Sequence, residues 1–164
     1  MKLAFIKEQI EWVDSWTTNL ISDLNEKDFG IVPTLGTSIN WQVGHLTISK
    51  YFHSIQSVLQ KDDQINKQIN KQIPLDNFLK YYFAGSNPTS KWINRPDAKQ
   101  LLEFMEIVDK ATFLTLEKLM ESNLEEKTEI GNPVAKTKYD ALTFTFKHQM
   151  WHNGQIAMIK RIIR

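Results

Sequence analysis

Four stretches of this chain return an apolar side chain every three or four positions, and segments containing Gly or Pro separate them. That period lines up side chains along one face of a helix, so it restricts the fold before any other feature does. The first stretch, about 3–25, carries Ile6, Ile10, Val13, Thr17, Leu20 and Leu24, with Trp12 and Trp16 widening the inward stripe. The second begins after Gly30, Pro33 and Gly36, where Thr37 or Ser38 is placed to cap a helix. It runs to about Gln60 with Trp41, His45, Ile48, Phe52, Ile55 and Leu59 inward. The third, about 97–122, has Leu101, Met105, Val108, Thr112, Leu116 and Leu119 inward, and Glu103, Glu106, Asp109, Lys110, Glu117, Lys118 and Glu121 on solvated faces. The fourth opens on a capping-box pair, Thr137 and Asp140, and its stripe reads Ala141, Thr145, His148, His152, Gln155, Ile159 and Ile162. No strand-like alternation competes with this pattern. The expectation is an all-α fold, a four-helix bundle with a long crossover or insert between helices 2 and 3, in a single domain over residues 1–164.

Residues 61–95 are the irregular part. Ile65-Asn66-Lys67-Gln68 is repeated at once as Ile69-Asn70-Lys71-Gln72, too briefly for a solenoid. Ile65, Ile69 and Ile73 extend a helix until Pro74 limits it, residues 75–82 suit a short helix, and residues 85–88 suit a turn. Trp92, Ile93 and Pro96 read as an ordered loop. A connection of this length in a small domain is a lid or a packed crossover.

Composition removes several functions. The net charge is +1 and no basic stripe is interleaved with aromatics, so nucleic acid is not an expected partner. No apolar run approaches the ~18 residues of a membrane helix. Residues 1–8 meet charge before a signal-peptide core forms, and a cytoplasmic location is the expectation. The chain has no cysteine, which excludes disulfides, thiolate metal ligands and a cysteine nucleophile.

The fourth stripe breaks its own rule. Thr145, His148, His152 and Gln155 occupy consecutive places where a bundle takes aliphatic side chains. A buried polar group without a partner costs roughly 1–3 kcal/mol, so something must satisfy this strip. His148 and His152, four residues apart, stand one turn from each other on one helical face, a spacing that lets two imidazoles converge on a transition metal. His45 takes an inward place on the second helix. His53 falls on another stripe with Gln42, Ser49, Gln56 and Gln60, and reads as a solvated surface residue outside the site. The plain alternative is that these are hydrogen-bonded core histidines.

Two motifs carry a family resemblance. Trp41-Gln42-Val43-Gly44-His45-Leu46, after a loop with Pro and Gly, and His148-x-x-x-His152-x-Gly154-Gln155-Ile156 resemble the second-helix and C-terminal motifs of the DinB/YfiT-like superfamily. The resemblance spans essentially the whole chain in helix order. It implies a four-helix bundle with a divalent metal, commonly zinc or nickel, held by three histidines, which map by motif to His45, His148 and His152. It also implies a homodimer in many relatives, and in some a transferase or isomerase activity that uses a low-molecular-weight thiol.

Three imidazoles with an open coordination position describe a catalytic zinc site. Thr145 and Gln155, one turn to either side of the pair, are candidates to orient the imidazoles or a fourth ligand. A metalloprotease helix has Glu directly after its first histidine as general base. Here that place is Gln149, which takes no proton. Trp41, Phe52, Phe144 and Trp151 are candidate walls for a small-molecule substrate, or simply core. The expected function is thiol transfer or small-substrate hydrolysis at a metal; the competing one is a non-catalytic structural, sensor or ligand-binding bundle.

Overall fold

The computed structural model describes residues 1–34, 36–88 and 95–164. Among them the chain is all-helical: α1 (Lys2–Ile21), α2 (Glu26–Gly30), α3 (Ile39–Lys50), α4 (Gln64–Gln72), α5 (Leu75–Tyr82), α6 (Ala98–Glu117) and α7 (Lys138–Ile163). A π-helical turn (Tyr51–Gln56) prolongs α3, and a 3₁₀ turn (Glu121–Glu125) follows α6. The expected loop at Trp92 and Ile93 lies outside the described residues.

Local chemistry sets these boundaries. The Ser38 side chain accepts from the Trp41 amide and starts α3. Asp97 with Gln100, and Thr137 with Asp140, form reciprocal capping boxes that start α6 and α7. Asn25 does the same with Asp28, so the first apolar stretch ends at Ile21 and a separate short helix begins, instead of one helix to residue 25. Asp63 caps α4, which makes the repeated isoleucines a helix of their own and not an extension of α3.

α1 packs on α7 and α6, and α3 packs on α6 and α7, so the four long helices surround a shared interior. α1 buries Ile6, Ile10, Val13, Thr17 and Ile21. Trp12 and Trp16 do not join that stripe; their rings meet each other 5.1 Å apart on the exposed side. Another departure concerns Asp109. It does not face solvent but receives the Lys50 ammonium at 2.5 Å, while Asp14 receives the same ammonium at 2.5 Å. A lysine only 6% exposed requires such partners, and this ion cluster ties α1, α3 and α6 together at mid-height.

The connecting segment is packed onto this frame. Ile65, Ile69 and Ile73 enter the main core, and Phe78 and Tyr82 of α5 are buried against α3 and α6. Gly44 makes the α3–α5 approach possible: a Cβ there would stand 2.5 Å from the Tyr82 ring. The Tyr82 hydroxyl then donates to Asn40 Oδ1 at 3.0 Å. Residues 64–82 therefore form a packed crossover, and their backbone ends beside His45.

Candidate metal centre

α3 and α7 bring His45, His148 and His152 together, with one ring nitrogen of each within 4.8 Å of the others. The Nε2 atoms converge: His148 Nε2 lies 3.0 Å from His152 Nε2 and 3.3 Å from His45 Nε2. Nitrogens bonded at 2.0–2.1 Å to a tetrahedral zinc ion stand about 3.3 Å apart, so these two distances are compatible with a shared ion.

The opposite nitrogens explain why Nε2 points inward. His45 Nδ1 is 2.7 Å from the Tyr82 carbonyl oxygen, and His152 Nδ1 is 2.5 Å from Gln42 Oε1. Both partners accept only, so each Nδ1 carries the hydrogen and each Nε2 is left as a bare lone pair, the form that binds metal. His148 Nδ1 meets the Ser49 hydroxyl at 3.1 Å, a group that either donates or accepts. One hydrogen on His148 satisfies one of the two Nε2 contacts; a cation satisfies all three nitrogens together. The donor set thus fits a divalent transition metal.

Electrostatics agree with neutral ligands. Burial, and then the charge that neighbouring imidazoles would carry, holds His148 down at about 3 and His152 at about 4. Burial also lowers His45, against the opposing Tyr82 carbonyl. No carboxylate hydrogen-bonds any of the three among the described residues. Gln149 turns instead to α1, donating to Asp14 Oδ1 at 2.9 Å and Thr17 Oγ1 at 2.8 Å. The Trp41 ring lies parallel to His45 at 4.8 Å, and Phe144 stacks on His148 at 5.2 Å. Each of these two aromatics covers one face of an imidazole.

Part of the stripe that holds His53 belongs to the centre. Gln42 and Ser49 stand three residues before and four after His45, hence on its own face, and each bonds a histidine of the cluster. His53 is 7% exposed, with its ring centre 6.5 Å from that of His148 and 4.8 Å from that of Phe144. The cause is the π turn, whose wider coil advances less per residue and carries His53 round toward the face of His45. Burial and the nearby His45 lower its pKa to about 4. Phe52 packs edge-on against it at 5.0 Å.

The two predicted orienting residues behave differently. Thr145 is buried but donates its hydroxyl hydrogen to the Ala141 carbonyl, not to a histidine. Gln155 reaches His152 indirectly: its Oε1 accepts from Gln42 Nε2 at 2.9 Å, and Thr37 Oγ1 holds the same amide at 3.1 Å. Trp151, 71% exposed, is no wall of the centre; it borders an outer groove with Thr37, Gly154 and Met158. The Tyr82 carbonyl had no signature in the sequence.

Gln42 is accordingly the side chain whose loss most disturbs ligand orientation without removing a ligand. Gln42→Leu keeps the volume and frees His152 to adopt either tautomer. Its zinc affinity, measured by chelator competition, should fall roughly 10- to 100-fold; unchanged affinity would show that the Gln42 hydrogen bond does not orient the ligand.

No curated protein matches the chain. The family model of the DinB superfamily matches residues 9–156, a span that contains all three histidines, all of α3 and α6, and most of α1 and α7. The chain therefore belongs to the DinB superfamily.

Proposed function

We propose that this protein is a metal-dependent enzyme that activates a low-molecular-weight thiol for transfer to a small electrophile, working from a four-helix bundle with residues 64–82 as its crossover. His45, His148 and His152 would hold the ion, zinc or nickel by donor type. A bound ion of this kind supplies Lewis-acid chemistry, lowering the pKa of a thiol or water at its remaining position.

The observation that carries the reading is the charge of the surroundings. Three neutral imidazoles, with no bonded carboxylate among the described residues, leave a buried dication uncompensated. In a low-dielectric setting such a centre favours an anionic partner, and a thiolate is the soft anion that suits it. Hydrolysis has less support, because Gln149 occupies the place of a general base and spends its amide on α1. The remaining residues serve the ligands: the Tyr82 carbonyl, Gln42 and Ser49 hold the Nδ1 side, while Trp41 and Phe144 stack on the His45 and His148 rings.

Cobalt loading followed by titration with 2-mercaptoethanol tests this. We expect roughly one cobalt per chain and a saturable sulfur-to-cobalt charge-transfer band. Less than about a tenth of an equivalent after supplementation would sink the metal centre. Full loading with no thiol band would leave the metal and refute the thiol chemistry.

A further inference from the structure

We propose that His53 is a substrate-contacting residue of the same centre, presenting its Nε2–H as a hydrogen-bond donor to a carbonyl or carboxylate oxygen of the reacting small molecule. The inference rests on the metal reading above.

The tautomer of His53 is fixed by its neighbours. Asn132, in the loop before α7, lies with Nδ2 2.9 Å from His53 Nδ1 and 2.9 Å from Ser57 Oγ. Its Oδ1 accepts from the Val134 amide at 3.0 Å, and an amide N–H only donates, so the atom facing His53 is the nitrogen. Ser57 Oγ donates its own hydrogen to the Phe52 carbonyl at 2.9 Å, which leaves it an acceptor toward Asn132. His53 Nδ1 therefore accepts, and the ring hydrogen sits on Nε2.

Among the described residues that Nε2–H has no hydrogen-bond partner. Nor is it sealed in: the fully enclosed side-chain atoms without a partner, among the described residues, are Asp14 Oδ2 and Gln149 Oε1. A ring only 7% exposed thus keeps one unpaired donor that is not fully enclosed. Buried polar groups are almost always satisfied, and a donor held ready beside a ligand cluster is what an oxygen acceptor needs. The rest of the ring is fixed by Phe144 and Phe52, so its direction is set before anything binds. Its element, a π turn, is a local distortion of the kind found at functional sites. A purely structural histidine would need only Asn132.

The test uses the full chain loaded with cobalt for binding and with zinc for NMR, and formate and the longer malonate as probes. In His53→Phe, cobalt content should be unchanged while the dissociation constant of the tighter-binding carboxylate rises about tenfold or more. In zinc-loaded wild type, the His53 Nε2–H resonance should move on carboxylate addition. Cobalt uptake with affinity in His53→Phe equal to wild type and an unmoved resonance would overturn the role of His53 and leave the metal reading standing. Failure to take up cobalt would overturn both. The resonance is read in wild type, so it decides even where His53→Phe does not fold.

Discussion

His148→Ala is expected to abolish stoichiometric zinc binding, lowering affinity by more than the roughly 100-fold that loss of a supporting hydrogen bond costs. His148 is the choice because its Nε2 lies next to both other ligand nitrogens, at 3.0 and 3.3 Å. Removing it leaves one imidazole on each of α3 and α7, too few to hold an ion against water. Thermal melts expose the loss directly. Metal in excess at about 1,000 times its dissociation constant adds roughly 4 kcal/mol to the native state, which for a domain of this length raises Tm by roughly 10 °C. Wild type should show that rise on zinc addition, and His148→Ala should not. The metal-free melts should differ far less, since the deletion also removes the nitrogen that crowds the lone pairs of His45 and His152. A variant that kept the zinc-induced rise would place the ion elsewhere.

How much of this was legible differs from residue to residue, for physical reasons. Helix starts at Ser38, Asp97 and Thr137 were readable because a cap is a contact within four residues. The inward register of His45, His148 and His152 was readable because helical period is a property of one segment. Gln42 and Ser49 stand on the His45 side by spacing, but only the packing of α7 against α3 shows that each meets a histidine there. His53 was lost to the π turn, which no residue type marks and which shifts every later side chain around the axis. Lys50 and Asp109 each look like surface residues singly. Only the shared packing of α1 and α3 against α6 brings Asp14 and Asp109 to the same ammonium. Trp12 and Trp16 erred the other way, because the apolar stripe of α1 is wider than its neighbours cover.

The metal-free protein should lose stability steeply as pH falls from about 6.5 toward 4. Free imidazoles titrate near 6.5, whereas burial first, then neighbouring imidazoles, hold His148 at about 3 and His152 and His53 at about 4. Folded pKa values below the unfolded value mean that the unfolded chain takes up the protons first as pH falls. The native state therefore keeps its full stability above about 6.5 and loses it as pH drops toward 4. Each such histidine costs about 1.4 kcal/mol per pH unit once well inside that window. Three of them remove roughly 4 kcal/mol by pH 5.5, a large share of a typical 5–15 kcal/mol. Asp109 works with the opposite sign, because burial, opposed by Lys50, raises its pKa and favours the folded state at lower pH. Its share is the same in every histidine variant, so the comparison isolates the imidazoles. Urea unfolding at a series of pH values measures the slope, which is the number of protons taken up on unfolding. His148→Ala should reduce that slope by about one proton, and a flat wild-type profile across this window would mean that the histidines are not buried in neutral form. With zinc present the loss should be steeper still, since protons and metal compete for the same three Nε2 lone pairs.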